Sequence, residues 1–284
     1  MGILRGGRYG SILTPRQSVL APPKSKLLTK KTVLGDRGSK RGGMPPSSEL
    51  LPPGSPLHWF DFNDTTTTFQ DTAGTTPATA SGESVARINN KGSASDNLIQ
   101  ATGSAQPKLS NTFTGVLVGS FDGGDYLAAT IANGLGEGAG GWSAAYVAAH
   151  STGASGDCPW SWETTLGMAA TGGAGEIVIM YSGNSGQVTV GTTTADVLFS
   201  GAWVERTNNT QQMYCNLDAS IASQSNTSDG PADSKNLIIG GKTTSTPDML
   251  GYVAELVIWN TELTAGDIAD WQTYTNSKYG ITWA

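Results

Sequence analysis

The amino-acid sequence predicts an all-β fold: a two-sheet antiparallel sandwich with a short C-terminal helix and an extended N-terminal arm. Three observations carry this prediction. Charged residues make up only 14% of the chain against a usual ~25%, and its 38 glycines are roughly twice the average share. From residue 57 onward, short apolar runs recur between clusters of Gly, Asn, Asp, Ser and Thr, the punctuation of strands joined by turns. After residue 260 the apolar period lengthens to that of a helix. The roughly 230 residues beyond the arm suit one β-sandwich, large enough to bury a core without staples.

Residues 1–56 are read as a basic anchoring arm and residues 57–284 as the folded domain. Within residues 1–50, Arg5, Arg8, Arg16, Lys24, Lys26, Lys30, Lys31, Arg37, Lys40 and Arg41 are offset only by Asp36 and Glu49, a net +8. The whole chain is −6, so the remainder is −14. Pro15, Pro22, Pro23, Pro45, Pro46, Pro52, Pro53 and Pro56 break regular structure and favour extended backbone. Apolar pairs recur at Ile3-Leu4, Ile12-Leu13, Val19-Leu20, Leu27-Leu28 and Val33-Leu34. That pattern reads as a strap, with apolar pairs seated in successive pockets and Lys and Arg meeting acidic surface. A nucleic-acid arm neutralising phosphates and an idle solvated tail are the other readings. The spaced pairs and prolines favour the protein-gripping strap over nucleic acid.

No run approaches the ~18 apolar residues of a membrane span, so membrane insertion is not expected. The N-terminus lacks the apolar stretch of about 7–15 residues found in secretory signals, which points to synthesis in a cytoplasm.

In the body, Leu57 to Phe62 opens as a strand, and a Thr-rich polar region follows to about Gly82. Residues 113–130 read as two strands around Asp122-Gly123-Gly124-Asp125, which has hairpin-turn chemistry. From Trp142 to His150, Trp142, Ala144, Tyr146 and Ala148 share one face; Ser143, Ala145, Val147 and Ala149 share the other. Small and apolar residues on both faces mean a central strand covered on both sides. Residues 176–190 read as a hairpin around Ser182-Gly183-Asn184, and 196–219 as two strands turning at Asn208-Asn209. Strands at 236–241 and 251–260 follow. In the last, Tyr252, Ala254, Leu256 and Ile258 alternate with Val253, Glu255, Val257 and Trp259. Thr264 and Asp267 have capping-box spacing and open a helix that presents Ile268, Trp271 and Tyr274 on one face and ends near Gly280. The total is roughly ten to twelve strands and one helix.

Residues 120–130, with Phe121-Asp122-Gly123, resemble the Phe-Asp-Gly strand-turn of laminin-G-like, concanavalin A-like jelly rolls. Residues 251–281 are similar to that family's closing strand and short helix, with Trp259-Asn260 ahead of Leu263-Thr264. Residues 98–109 resemble the linker preceding the first motif in phage-encoded versions. The resemblance covers about residues 57–284 and leaves the arm unaccounted for. It implies a sugar-binding or display jelly roll of the kind tailed-bacteriophage virion proteins use.

The candidates for chemistry are few. Glycoside hydrolases of this fold set an acid and a nucleophile about 5–5.5 Å apart from alternate positions of one strand. Glu163, Glu176 and Glu255 each lack an acidic neighbour two positions away, so no enzyme is expected. His58 and His150 read as strand-end residues. Gly134 to Gly141 lacks the Lys-Ser/Thr of a phosphate loop and reads as a flexible loop. Trp160 and Trp162 project to one side of their strand, either as a carbohydrate-stacking platform or as core filling. Asp122, Asp125, Asp157, Asp229 and Asp233 offer oxygen ligands for Ca²⁺. Asp122 and Asp125 are kept as metal candidates, against the commoner reading that turn aspartates cap their own backbone. No other cofactor is indicated. Cys158 and Cys215 fit no metal spacing and are either two buried thiols or one bridge.

The expectation is a bacteriophage virion structural protein located in the particle, a capsid decoration or cement protein whose partners are other virion proteins. Its anchor is Arg5, Arg8, Ile12, Leu13, Arg16, Leu27, Leu28, Lys30, Lys31, Arg37, Lys40 and Arg41. The alternative is a tail fibre or tail-associated adhesin that binds host glycans.

Overall fold

The computed structural model describes residues 51–131, 141–151, 158–162, 168–172, 176–181, 186–206, 210–225, 235–244 and 246–284. The anchor residues Arg5 to Arg41 lie outside the described residues, as do Glu163, Asp157, Asp229, Asp233 and the turns at 182–184 and 208–209.

In chain order the strands begin with β1 (His58–Asp61), β2 (Thr68–Phe69), β3 (Arg87–Ile88), β4 (Leu98–Ile99), β5 (Lys108–Phe113), β6 (Val116–Asp122) and β7 (Leu127–Ile131). Next come β8 (Trp142–His150), β9 (Trp160–Trp162), β10 (Met168–Gly172), β11 (Glu176–Tyr181), β12 (Gly186–Thr192) and β13 (Phe199–Glu205). The chain continues with β14 (Thr210–Cys215), β15 (Asp218–Ser225), β16 (Lys235–Ile239), β17 (Gly241–Thr243), β18 (Thr246–Pro247) and β19 (Leu250–Trp259). Helix α1 (Ala265–Tyr279) follows.

The large sheet runs β15-β14-β13-β8-β19-β6-β5, with β1 also paired to β19; the opposing sheet runs β2-β3-β4-β7-β16-β9. Strands β10-β11-β12 and β17-β18 form two small sheets. Pairing is antiparallel throughout these ladders, including the predicted β11–β12 and β13–β14 pairs. The molecule is an antiparallel jelly-roll sandwich with one C-terminal helix.

Three layers result. Between the two main sheets lies one core, with Phe60, Phe62, Ile88, Leu98, Phe121, Trp142, Tyr146, Trp203 and Leu256. The outer face of the large sheet carries a second core, where Ala145, Val147, Val204, Val257 and Trp259 meet Ile268, Trp271 and Tyr274 of α1. Strand β8 is therefore buried at every position, as its two small-and-apolar faces predict.

The helix begins and ends where its signals lie. The Thr264 hydroxyl accepts from the Asp267 amide at 3.2 Å while Asp267 accepts from the Thr264 amide at 2.8 Å, which satisfies two of the helix's otherwise orphaned donors. Gly280 closes it with φ of 70°, a left-handed conformation in which a side chain would be strained.

Two expectations are corrected. The Asp122–Asp125 turn is not a hairpin, because β6 pairs with β5 and β19 while β7 pairs with β4 and β16. The turn carries the chain from one sheet to the other, and tertiary bonds hold it: Gly123 N–H donates to Met249 O and Tyr126 N–H to Ala105 O. The strict alternation expected of β19 is broken by a bulge between Val253 and Glu255. An extra residue in one strand re-aims the side chains beyond it. Here Val253, Leu256 and Ile258 join the inner core, whereas Ala254, Val257 and Trp259 join the outer one.

Packing of the body starts upstream of residue 57. Pro52 and Pro53 are buried, and the Trp259 indole donates to the Pro53 carbonyl at 2.8 Å.

Candidate functional site

The large sheet has two faces, and each brings polar residues together in a way local sequence does not announce. On the outer face, strand pairing places Asp61 directly opposite Glu255. The bulge in β19 turns Glu255 toward α1, where it is fully buried. It accepts hydrogen bonds from Trp59 Nε1, from Tyr274 Oη at 2.6 Å and from Tyr279 Oη at 2.6 Å. Lys278 Nζ bridges the two acids, 2.7 Å from Asp61 and 3.2 Å from Glu255. Lys91 adds contacts to Asp61 and Asp64 and lies 3.9 Å above the Trp59 ring. Burial pushes the Glu255 carboxyl up, Lys278 draws it back and Asp61 adds to the rise. The paired carboxylates absent along any one strand thus exist across two strands. Both are bound to one ammonium beneath the helix, an arrangement that fastens α1 to the sheet.

On the inner face, Trp142 at the start of β8 stands opposite Glu205 at the end of β13, and Glu205 stands opposite Gln211 on β14. All three are buried. The Trp142 and Trp203 rings stack with centroids 5.9 Å apart and planes 17° from parallel. Trp142 Nε1 and Gln211 Nε2 have no hydrogen-bond partner among the described residues. Alternation within β13 and β14 hints at which residues share this face, but only the strand register lines them up.

The predicted sites fare differently. Trp160 and Trp162 do project to one side of β9, but that side is the core. They are 2% and 1% exposed, packed near Tyr146 and His58 respectively, so they do not form a surface sugar platform. This corrects the stacking reading: two apolar rings at alternate positions gain most by facing the opposing sheet.

Asp122 and Asp125 turn onto their own backbone. Asp122 Oδ1 accepts from the Gly124 amide at 3.0 Å, and Asp125 Oδ2 from the Asp122 amide at 3.3 Å. Burial, reinforced by Asp122, raises the Asp125 pKa to about 6. A carboxyl that favours its neutral form and caps a turn is a poor Ca²⁺ ligand. Among the described residues no group of three His, Cys, Asp or Glu could hold a metal ion.

His58 and His150 do lie at strand ends. Burial lowers His58 to about 4. Cys158 and Cys215 are both buried thiols with no disulfide between them. No helix among the described residues is long and apolar enough to cross a membrane.

An open groove of about 520 Å³ lies beside the helix C-terminus, lined in part by Phe113, Asp196, Val197, Asn216 and Tyr279.

No family model matches the sequence, and no curated protein matches it either. Solved structures do share its architecture. A GH54 α-L-arabinofuranosidase aligns with a TM-score of 0.57 at 10% identity, covering 79% of this chain and 63% of its own. The binding domain of botulinum neurotoxin serotype D aligns at 0.51 and 11% identity, covering 78% and 51%. A sialidase from Trypanosoma rangeli aligns at 0.50 and 11% identity, covering 80% and 33%. The chain spans less than two thirds of each of these proteins, and at such identities the likeness is one of fold alone.

Proposed function

We propose that this chain is a structural protein of a bacteriophage particle, a capsid decoration or cement protein fastened by residues 1–50 and displaying its jelly roll. The observation that carries the reading is the way the body grips the end of the basic segment. Pro52 and Pro53 are buried, and the Pro53 carbonyl is held by Trp259, whose ring packs edge-on against Trp271 at 6.1 Å. Tension on residues 1–50 therefore enters a tryptophan pair shared by β19 and α1, not a free hinge.

The charge division supports the same reading. A +8 segment joined to a −14 body seeks acidic surface with the one and keeps neighbouring bodies apart with the other. A strap spanning several shell subunits gains from effective concentration, so weak contacts sum to lasting attachment. The resemblance of residues 120–130 and 251–281 to phage-encoded jelly rolls points to the particle.

The second reading is a tail-associated adhesin that binds host glycans. It draws on the sharing of this architecture with a toxin binding domain and with glycosidases, which is analogy at the level of fold.

Deletion of residues 1–50 separates the two. Loss of co-sedimentation with particles, without host-cell binding by the body, is the expected outcome. Particle binding that survives the deletion overturns the strap, and host-cell binding that survives it favours the adhesin.

A further inference from the structure

We propose that the strand-end row Trp142, Glu205 and Gln211, on the inner face of the large sheet, binds a neutral saccharide. The inference is independent of particle attachment, which rests on residues 1–50. Three adjacent strands supply one side chain each, in register. The next row inward is Ala144, Trp203 and Met213, all members of the core. The polar row is therefore confined to the rim of an otherwise apolar face.

Trp142 and Gln211 are 1% and 5% exposed, yet the indole and amide N–H groups have no hydrogen-bond partner among the described residues. Folded chains seldom leave such donors unmet. A carboxylate, an indole N–H and an amide N–H side by side call for a ligand that both accepts and donates at closely spaced points. Sugar hydroxyls do both, and the C–H face of a sugar ring suits the apolar wall made by the stacked Trp142 and Trp203.

Other ligand classes fit less well. An anion meets the Glu205 carboxylate, and the adjacent cation, Arg206, is committed elsewhere, to Gln212 at 2.7 Å and Glu262 at 3.3 Å. A cation leaves both N–H donors unmet. Two further donors without a partner among the described residues, Tyr146 Oη and Trp160 Nε1, belong deeper in the same core, where ordered water suffices.

The test uses the full chain. It is screened against an array of neutral and sialylated oligosaccharides, and the tightest neutral binder is titrated calorimetrically against wild type, Trp142→Phe and Gln211→Met. The first substitution keeps a ring and removes the donor; the second keeps length and removes the amide. Binding of a neutral oligosaccharide, weakened about 5- to 10-fold by each variant with no fall in thermal midpoint, is the expected result. Three outcomes overturn the assignment: no neutral oligosaccharide bound, sialylated ones alone bound, or affinity unchanged in both variants. Should either variant melt early, Glu205→Gln keeps the shape of the row and is expected to weaken binding similarly; unchanged affinity there also overturns it. Particle attachment measured in parallel is unaffected by these substitutions, so the two readings fail separately.

Discussion

The two faces of the large sheet bury polar groups in opposite ways. On the outer face the Glu255 carboxylate has four partners, from Trp59, Tyr274, Tyr279 and Lys278. On the inner face the Trp142 and Gln211 donors have none among the described residues. Both faces belong to the same strands, so backbone geometry cannot be the difference. The difference lies in what covers each face: a helix that brings its own hydroxyls and ammonium, or a facing layer that brings apolar rings. A satisfied buried network holds elements together, whereas an unsatisfied one is held open for something else.

The largest effect tests the outer face. Lys278→Met strands two buried carboxylates, and guanidinium unfolding should show a loss of about 3–5 kcal/mol. A loss below about 1 kcal/mol would mean that the network does not hold the helix. Tyr279→Phe removes one hydrogen bond to a buried carboxylate and should cost about 1.5–3 kcal/mol in the same measurement. The matching change on the inner face, Trp142→Phe, deletes a donor that has nothing to lose. Its unfolding free energy should stay within about 1 kcal/mol of wild type. If the two aromatic substitutions cost the same, the contrast between the faces fails.

A third comparison is in pH. Folded Asp125 holds its proton up to about 6, against an ordinary 3.8, so stability falls as pH rises across that interval. Folded His58 resists protonation down to about 4, against an ordinary 6.5, so stability rises with pH over nearly the same interval. The two slopes oppose each other in wild type. Asp125→Asn should leave the His58 slope alone, giving stability that climbs from about pH 4 to 6.5 in thermal melts. A flat profile in the variant would mean that His58 is not the opposing group. The smallest effect belongs to the surface: Lys242→Ala breaks a half-exposed pair with Asp248 at 3.4 Å and should change stability by less than about 0.5 kcal/mol.

Much of the fold was legible along the chain because the signals are local. Thr264 and Asp267 mark the helix start, Gly280 its end, and two small-and-apolar faces mark β8 as central. The misreadings share one cause. A turn such as Asp122–Asp125 looks the same whether its strands pair with each other or part to different sheets. An alternating strand such as β19 gives no sign of a bulge that pairing imposes. Trp160 and Trp162 show that alternation tells which residues share a side, not whether water or a second sheet lies there.

The sequence by itself determined a β-rich body with a terminal helix and a basic segment ahead of it, since propensity, caps and charge act over a few residues. Only the tertiary structure decided that Asp61 meets Glu255 and that Trp142, Glu205 and Gln211 form one row. Those meetings depend on strand register across long stretches of chain, which the burial of whole faces sets and no short stretch encodes.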